Sequence, residues 1–164
     1  MVEQTGSSEP DSVSLMWAEY RQQSQCGASH YDAWYFGDNE VDANELVKLV
    51  LAGAKRATAG ALWAYEADQV AVPRPGDLAI VTDWAGVAQC LIRTTLVDVV
   101  PYDEVTEDFA AAEGEGDRSL NYWKQVHWPY FQREMYRIGR EPSERMPVVC
   151  HRFELVYPPD AREA

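Results

Sequence analysis

Apolar positions along this chain recur with two periods, and the switches between them mark its elements. Val13, Met16, Trp17 and Tyr20 follow helical spacing, which predicts a helix opening near Ser12 as its N-cap. A Gly- and aromatic-rich connection, GASHYDAWYFGDN, leads to a second helical pattern with Leu46, Leu49 and Val50 on its buried face. Asp42 with Glu45 three residues on reads as a capping box for that helix, and Gly53 supplies the left-handed residue that closes it. From there the chain runs extended, with Thr58 at the start of a strand. DLAIVTD and VAQCLIRTTLVDVV, joined through WAG and preceded by the turn PRPG, read as a strand pair. PYDEVTEDFAAAEGEGD predicts a short helix ending at Gly114 or Gly116. Leu120, Trp123, Val126 and Tyr130 then define the face of a longer helix, where Pro129 predicts a kink or two abutting helices. PVVCHRFELVY is a closing strand.

Helices, a hairpin, more helices and a returning strand make an α+β chain with mostly antiparallel strands. Strands of uneven length around one core favour a small, partly open β-barrel flanked by helices over a doubly wound sheet. At 164 residues the length suits a single domain, read here as residues 12–157 between polar tails at 1–11 and 158–164. The N-terminal tail has neither the basic nor the apolar segment of a signal peptide, and no run is long enough to span a bilayer. Cys26, Cys90 and Cys150 are odd in number and far apart, as expected of reduced, packed thiols in a cytoplasm.

Charge changes the picture more than composition does. Fourteen basic residues against 27 acidic ones give −13, a poor match for duplex DNA or any long nucleic acid held through its phosphates. A nucleoside or a few nucleotides is easier to accommodate. His30, His127 and His151 lack zinc spacing. GAKRAT lacks the P-loop frame, EGEGD would repel phosphate, and the Gly-x-Ser-x-Gly elbow is missing.

What remains is the stretch LVLAGAKRATAG. Lys55 falls just past a helix end, where the dipole alone favours a cation, and a partly desolvated lysine there could instead serve as a base for a nearby hydroxyl. Arg93 interrupts an apolar strand and is read as either an internal ion pair or a phosphate or base contact. Trp34 and Tyr35 either pack or offer a stacking platform for a base. Asp117 or Ser119 suits an N-cap, with Ser119 also placed among the substrate contacts. Lys124 and His127, three apart on a helix, are candidates for an RNA-facing rim.

Gly53-Ala54-Lys55-Arg56-Ala57-Thr58 resembles the Gly-x-Lys-x-x-Thr signature of the ASCH family. The resemblance extends through WYFGDN, PGDLAIVTDWAGVAQCLIRTT, EGEGDRSLNYW and the closing strand, roughly Asp32 to Tyr157. It is similar to the larger bacterial subgroup once catalogued as a domain of unknown function. It implies a PUA-like barrel acting on single-stranded RNA or a modified nucleoside. Two activities accompany it: amide hydrolysis of N4-acylated cytidine, and RNA cleavage assisted by a divalent cation such as Mn or Mg. No tightly bound cofactor is implied, and a non-catalytic RNA- or nucleotide-binding module is the alternative. Carried over by motif position, Lys55 is the general base, Thr58 the nucleophile and Glu113 the carboxylate orienting the lysine, with Glu115 a rival for the last role. Arg56 joins the substrate-binding residues. Many members carry a basic residue two positions after the threonine, where this chain has Gly60.

Overall fold

A computed structural model describes residues 11–158. The predicted tails lie outside the described residues except for Asp11 and Pro158. Helix α1 spans Ser12–Ser24, and its N-cap is Asp11, whose carboxylate accepts from the Ser14 amide at 2.8 Å. The predicted cap Ser12 instead accepts from the Ala88 amide through its hydroxyl. Helix α2 spans Glu40–Leu51 and is capped by Asn39, not Asp42; the Asn39 side chain accepts from the Asp42 amide and donates to its carboxylate. The capping-box reading therefore placed this helix start three residues late.

Between the helices, part of the aromatic connection forms a short strand, β1 (Asp32–Trp34). The remaining strands are β2 (Ala57–Ala61), β3 (Leu78–Thr82), β4 (Ala88–Pro101) and β5 (Pro147–Tyr157). They form one sheet in the order β1-β3-β4-β5-β2. Every pairing is antiparallel except β1 with β3, which is parallel in the register Asp32↔Ala79 to Trp34↔Val81. Register shifts at Leu91/Ile92 and Thr94/Leu96 interrupt the β4–β5 ladder, and such bulges bend a strand. The sheet is a curled half-barrel, and the main cavity is lined by residues from both of its edge strands, β1 and β2. The architecture is the mixed α+β half-barrel with helical flanks expected from the pattern.

Helix α3 (Leu62–Ala67) continues directly from β2 and has no counterpart in the sequence reading. A 3₁₀ turn at Tyr102–Glu104 precedes α4 (Glu107–Glu113), capped by Thr106 and closed by Gly114 in the left-handed region. Helix α5 (Leu120–Arg137) runs unbroken through Pro129. Pro129 is exposed, so the carbonyl that loses its partner lies on a solvated side, where water can satisfy it. The buried face of α5 is Trp123, His127, Phe131 and Met135, while the expected Val126 is 38% exposed.

One face of the sheet packs α1 through Tyr20, Leu78, Ile80 and Leu91. The other packs α2 through Val47, Val50, Val81 and Ile92, and α4 and α5 through Phe109, Trp123, Phe131 and Val148. Cys90 and Cys150 are buried, Cys26 is partly buried, and none is disulfide-bonded. Burial pushes the Cys90 and Cys150 thiols up to about 12, so these are packing groups.

Candidate functional site

The residues after α2 aim Lys55 inward. Gly53 takes φ +82°, and the amides of Ala54 and Lys55 both donate to the Leu49 carbonyl at 2.9 and 3.1 Å. The Arg56 amide then donates to Ala112 of α4 at 2.7 Å, tying the helix-to-strand joint to the element that carries the carboxylates. Gly114, at φ +71°, makes the close approach possible, because a Cβ there would collide with the Ala54 carbonyl. Lys55 is consequently fully buried.

Its ammonium is held by two carboxylates, Glu113 Oε2 at 2.8 Å and Glu115 Oε1 at 2.7 Å, and lies 5.1 Å from the centre of the Phe36 ring. Both glutamates named by the sequence are therefore in the site. They are not equivalent. Glu113 also accepts from the Trp123 indole N–H at 3.0 Å and lies 3.4 Å from His127 Nε2. His127 stacks on Trp123 at 4.2 Å, and its Nδ1 lies 2.9 Å from the Trp123 carbonyl, fixing the ring. Glu115 follows the helix-closing glycine, and its carboxylate has Lys55 as its one hydrogen-bonding partner among the described residues.

Burial disfavours charge at every one of these groups, and their mutual attraction decides the outcome. Burial would lower Lys55, yet the charges of Glu113 and Glu115 outweigh it and keep the side chain an ammonium with a raised pKa. Burial would raise Glu113, but Lys55 and His127 hold it below the ordinary carboxylate range. Glu115 goes the other way: burial raises it, and Glu113 adds to the effect against the pull of Lys55. Burial would lower His127, and Glu113 reverses this.

This cluster lies on the wall of a cavity of about 740 Å³. Thr58 and His151 occupy facing positions of β2 and β5, and both line the cavity. Among the described residues the Thr58 hydroxyl has no hydrogen-bonding partner. His151 Nε2 is 2.9 Å from the Thr94 hydroxyl, and burial lowers the imidazole to about 4, so it is neutral. Trp34 lines the cavity edge-on to Phe36, and Tyr35 lies 4.9 Å from the exposed Trp84. Tyr65, Tyr122 and Tyr130 complete the aromatic lining. Tyr65 comes from the unexpected α3 and left no signal in the sequence. His151 had one: in a strand it alternates with Cys150, whose side chain fills the core.

Several expected contacts lie elsewhere. Arg93 is on the exposed side of β4, outside the cavity lining, and pairs with Glu154 at 2.8 Å at the surface, where the sequence had offered an internal ion pair or a phosphate or base contact. Ser119 is the N-cap of α5, bonded to the Tyr122 amide, because a helix start needs that acceptor. Lys124 is on the other side of α5 from the cavity, in a shallow hollow with Tyr102 and Trp128, whereas His127 is inside; three positions along this helix separate rim from interior. The Arg56 guanidinium donates to the carbonyls of Val50 and Lys55 at 3.2 Å, where it serves the C-terminus of α2.

Glu113, Glu115 and His127 bring one donor atom each within 4.8 Å of the others, a spacing a divalent cation could use. The Lys55 ammonium already bonds both carboxylates, so a metal placed there would meet a fixed positive charge. The set fits the side-chain cation and not Mn or Mg.

A family model for the ASCH domain matches residues 32–157. The chain belongs to the ASCH family. An ASCH domain from Lactobacillus crispatus JV V101 superposes with a TM-score of 0.81 at 35% identity, covering 92% of this chain and 97% of the other. A protein from Enterococcus faecalis V583, assigned to a domain family of unknown function, gives 0.82 at 32%, covering 88% of each. No curated protein matches at comparable significance. The ASCH relationship accounts for the PUA-like half-barrel and for the position of Lys55 between helix end and first long edge strand. No helix among the described residues of this ASCH protein is long and apolar enough to cross a membrane.

Proposed function

We propose that this ASCH protein is a hydrolase of an uncharged, nucleoside-sized substrate, with the amide of an N4-acylated cytidine as the reacting group. The observation that carries the reading is the buried Lys55–Glu113–Glu115 cluster on the wall of a cavity that also presents the unbonded Thr58 hydroxyl. Burying three charges costs several kcal/mol each before pairing, an arrangement that packing alone does not require. Thr58 is the nucleophile in this reading, and the aromatic lining holds the base. The general-base role implied for Lys55 meets a side chain held as an ammonium; its contribution is a fixed positive charge beside the reacting carbonyl.

Charge favours the nucleoside over RNA. Eight carboxylates line the cavity against two cations, Lys55 and Arg133. Lys55 is neutralised by its two glutamates, and Arg133 is gripped by Asp38 through two hydrogen bonds of 2.7 and 3.1 Å. The position that many ASCH members give to a basic residue is Gly60, and its side-chain space is filled: a Cβ there would lie 2.8 Å from the Tyr65 ring. A phosphate entering this cavity would find anions and a phenol ring.

The test is product chromatography after incubating wild type and Thr58→Ala with N4-acetylcytidine, and separately with a short single-stranded RNA with and without manganese. Cytidine released by wild type and reduced by at least about 100-fold in the variant is the expected result. RNA fragments that need manganese would replace this reading with a nuclease. No product from folded wild type would leave the binding module.

A further inference from the structure

The two glutamates that hold Lys55 differ in how many donors fix them. Glu113 receives Lys55 and the Trp123 indole and faces His127 as well, and its side chain is 1% exposed. Each of those donors favours the anion, so Glu113 has no means of accepting a proton during a reaction. The Glu115 carboxylate receives Lys55 alone. Its side chain is 16% exposed, on a loop residue between Gly114 and Gly116 that lines the cavity.

Resting on the hydrolase reading, we propose that Glu115 carries the exchangeable proton of this site, while Lys55 and Glu113 remain a fixed ion pair. The Glu115 carboxylate takes the proton of the Thr58 hydroxyl as the Thr58 oxygen bonds to the amide carbon. It returns that proton to the exocyclic nitrogen as the carbon–nitrogen bond breaks, releasing cytidine and leaving an acyl ester on Thr58. Water then adds to the ester, giving its proton to Glu115, and Glu115 passes it to the Thr58 oxygen as the acid departs. One carboxylate alternates between base and acid through both halves, and the charges of Lys55 and Glu113 do not change. The groups facing Glu115 are Lys55 after α2, Glu113 at the end of α4 and His127 on α5. Burial and the neighbouring Glu113 raise its proton affinity, which moves it toward the range useful to an acid–base group.

Two measurements on the full chain, treated with EDTA, test this. Carbon-13 NMR of the glutamate carboxyls across pH 4–9, assigned by the signal lost in Glu115→Gln, should show Glu115 titrating above the ordinary 4.5. Glu115→Asp should retain a titrating signal from the same site. A Glu115 resonance that titrates at or below 4.5 overturns the proposal, whatever the activity. With N4-acetylcytidine, Glu115→Gln should lower kcat by about 100-fold or more with little change in KM and flatten its pH profile, and Glu115→Asp should restore part of it. An unchanged kcat in Glu115→Gln overturns it as well. If folded wild type releases no cytidine, the hydrolase reading fails, and the reaction steps assigned to Glu115 fall with it. The carboxyl titration then still decides where the proton resides.

Discussion

At the level of single residues the site is a set of compensated charges, and removing one exposes the others. Lys55→Ala leaves two buried carboxylates without their cation, and we expect a loss of about 3–5 kcal/mol at pH 7 by urea unfolding. The loss should shrink at pH 5, because the stranded carboxylates can then protonate. His151 gives a separate pH signature. Its folded value of about 4 lies below the ordinary 6.5, so the unfolded chain takes up the proton first as pH falls. The stability it contributes is complete above pH 6.5 and is lost toward pH 4, amounting to about 3 kcal/mol at 1.36 kcal/mol per pH unit. Urea unfolding at pH 7 and 4.5 should show wild type losing more than His151→Gln. The resemblance names Lys55, Thr58 and Glu113, with Glu115 as the rival carboxylate, and all four line one cavity. The neutral state of His151 and the ammonium state of Lys55 were not legible, because each depends on burial and on partners as much as 60 positions away.

At the level of elements, two positions carry opposite expectations. Gly114→Ala forces a Cβ against the Ala54 carbonyl at a left-handed residue, and we expect a loss above about 4 kcal/mol in thermal or urea unfolding. Pro129→Ala should do the reverse, stabilising by about 1–3 kcal/mol, since α5 already continues through the proline and the variant restores an amide donor. The ends of the elements were harder to read than the elements themselves. Asn39 and Asp42 both satisfy cap chemistry, and it is the Asn39 side chain that accepts from the Asp42 amide. Strand β1 was hidden because three residues show no alternation, and it exists only through its parallel pairing with β3. Helix α3 was hidden because the six residues after β2 are too few to establish a period. The face of α5 turns from the expected Val126 and Tyr130 toward His127 and Phe131, because the His127 ring packs on Trp123 and is buried like an apolar side chain.

For the molecule as a whole, acidity should show in what binds and how salt affects it. Cytidine binding by calorimetry should be nearly independent of salt between 50 and 200 mM, whereas binding through several phosphates would weaken by orders of magnitude over that range. A single-stranded oligonucleotide should compete poorly. The connectivity of the sheet carries a consequence in time as well as in space. Among the described residues the strand bearing Thr58 pairs with a single strand, β5, the last of them in sequence. While the protein is being made, β3 and β4 can pair as a local hairpin soon after they emerge, but β2 must wait for about ninety more residues. During synthesis Thr58 therefore has no anchored position, and a nascent chain stalled before Pro147 holds the lysine and both glutamates without the wall that completes their cavity. The same connectivity makes the whole fold depend on finished translation: β5 pairs with both β4 and β2 and brings Val148, Val149, Cys150 and Phe153 to the core, so chains cut short within it should lose cooperative unfolding together with the cavity.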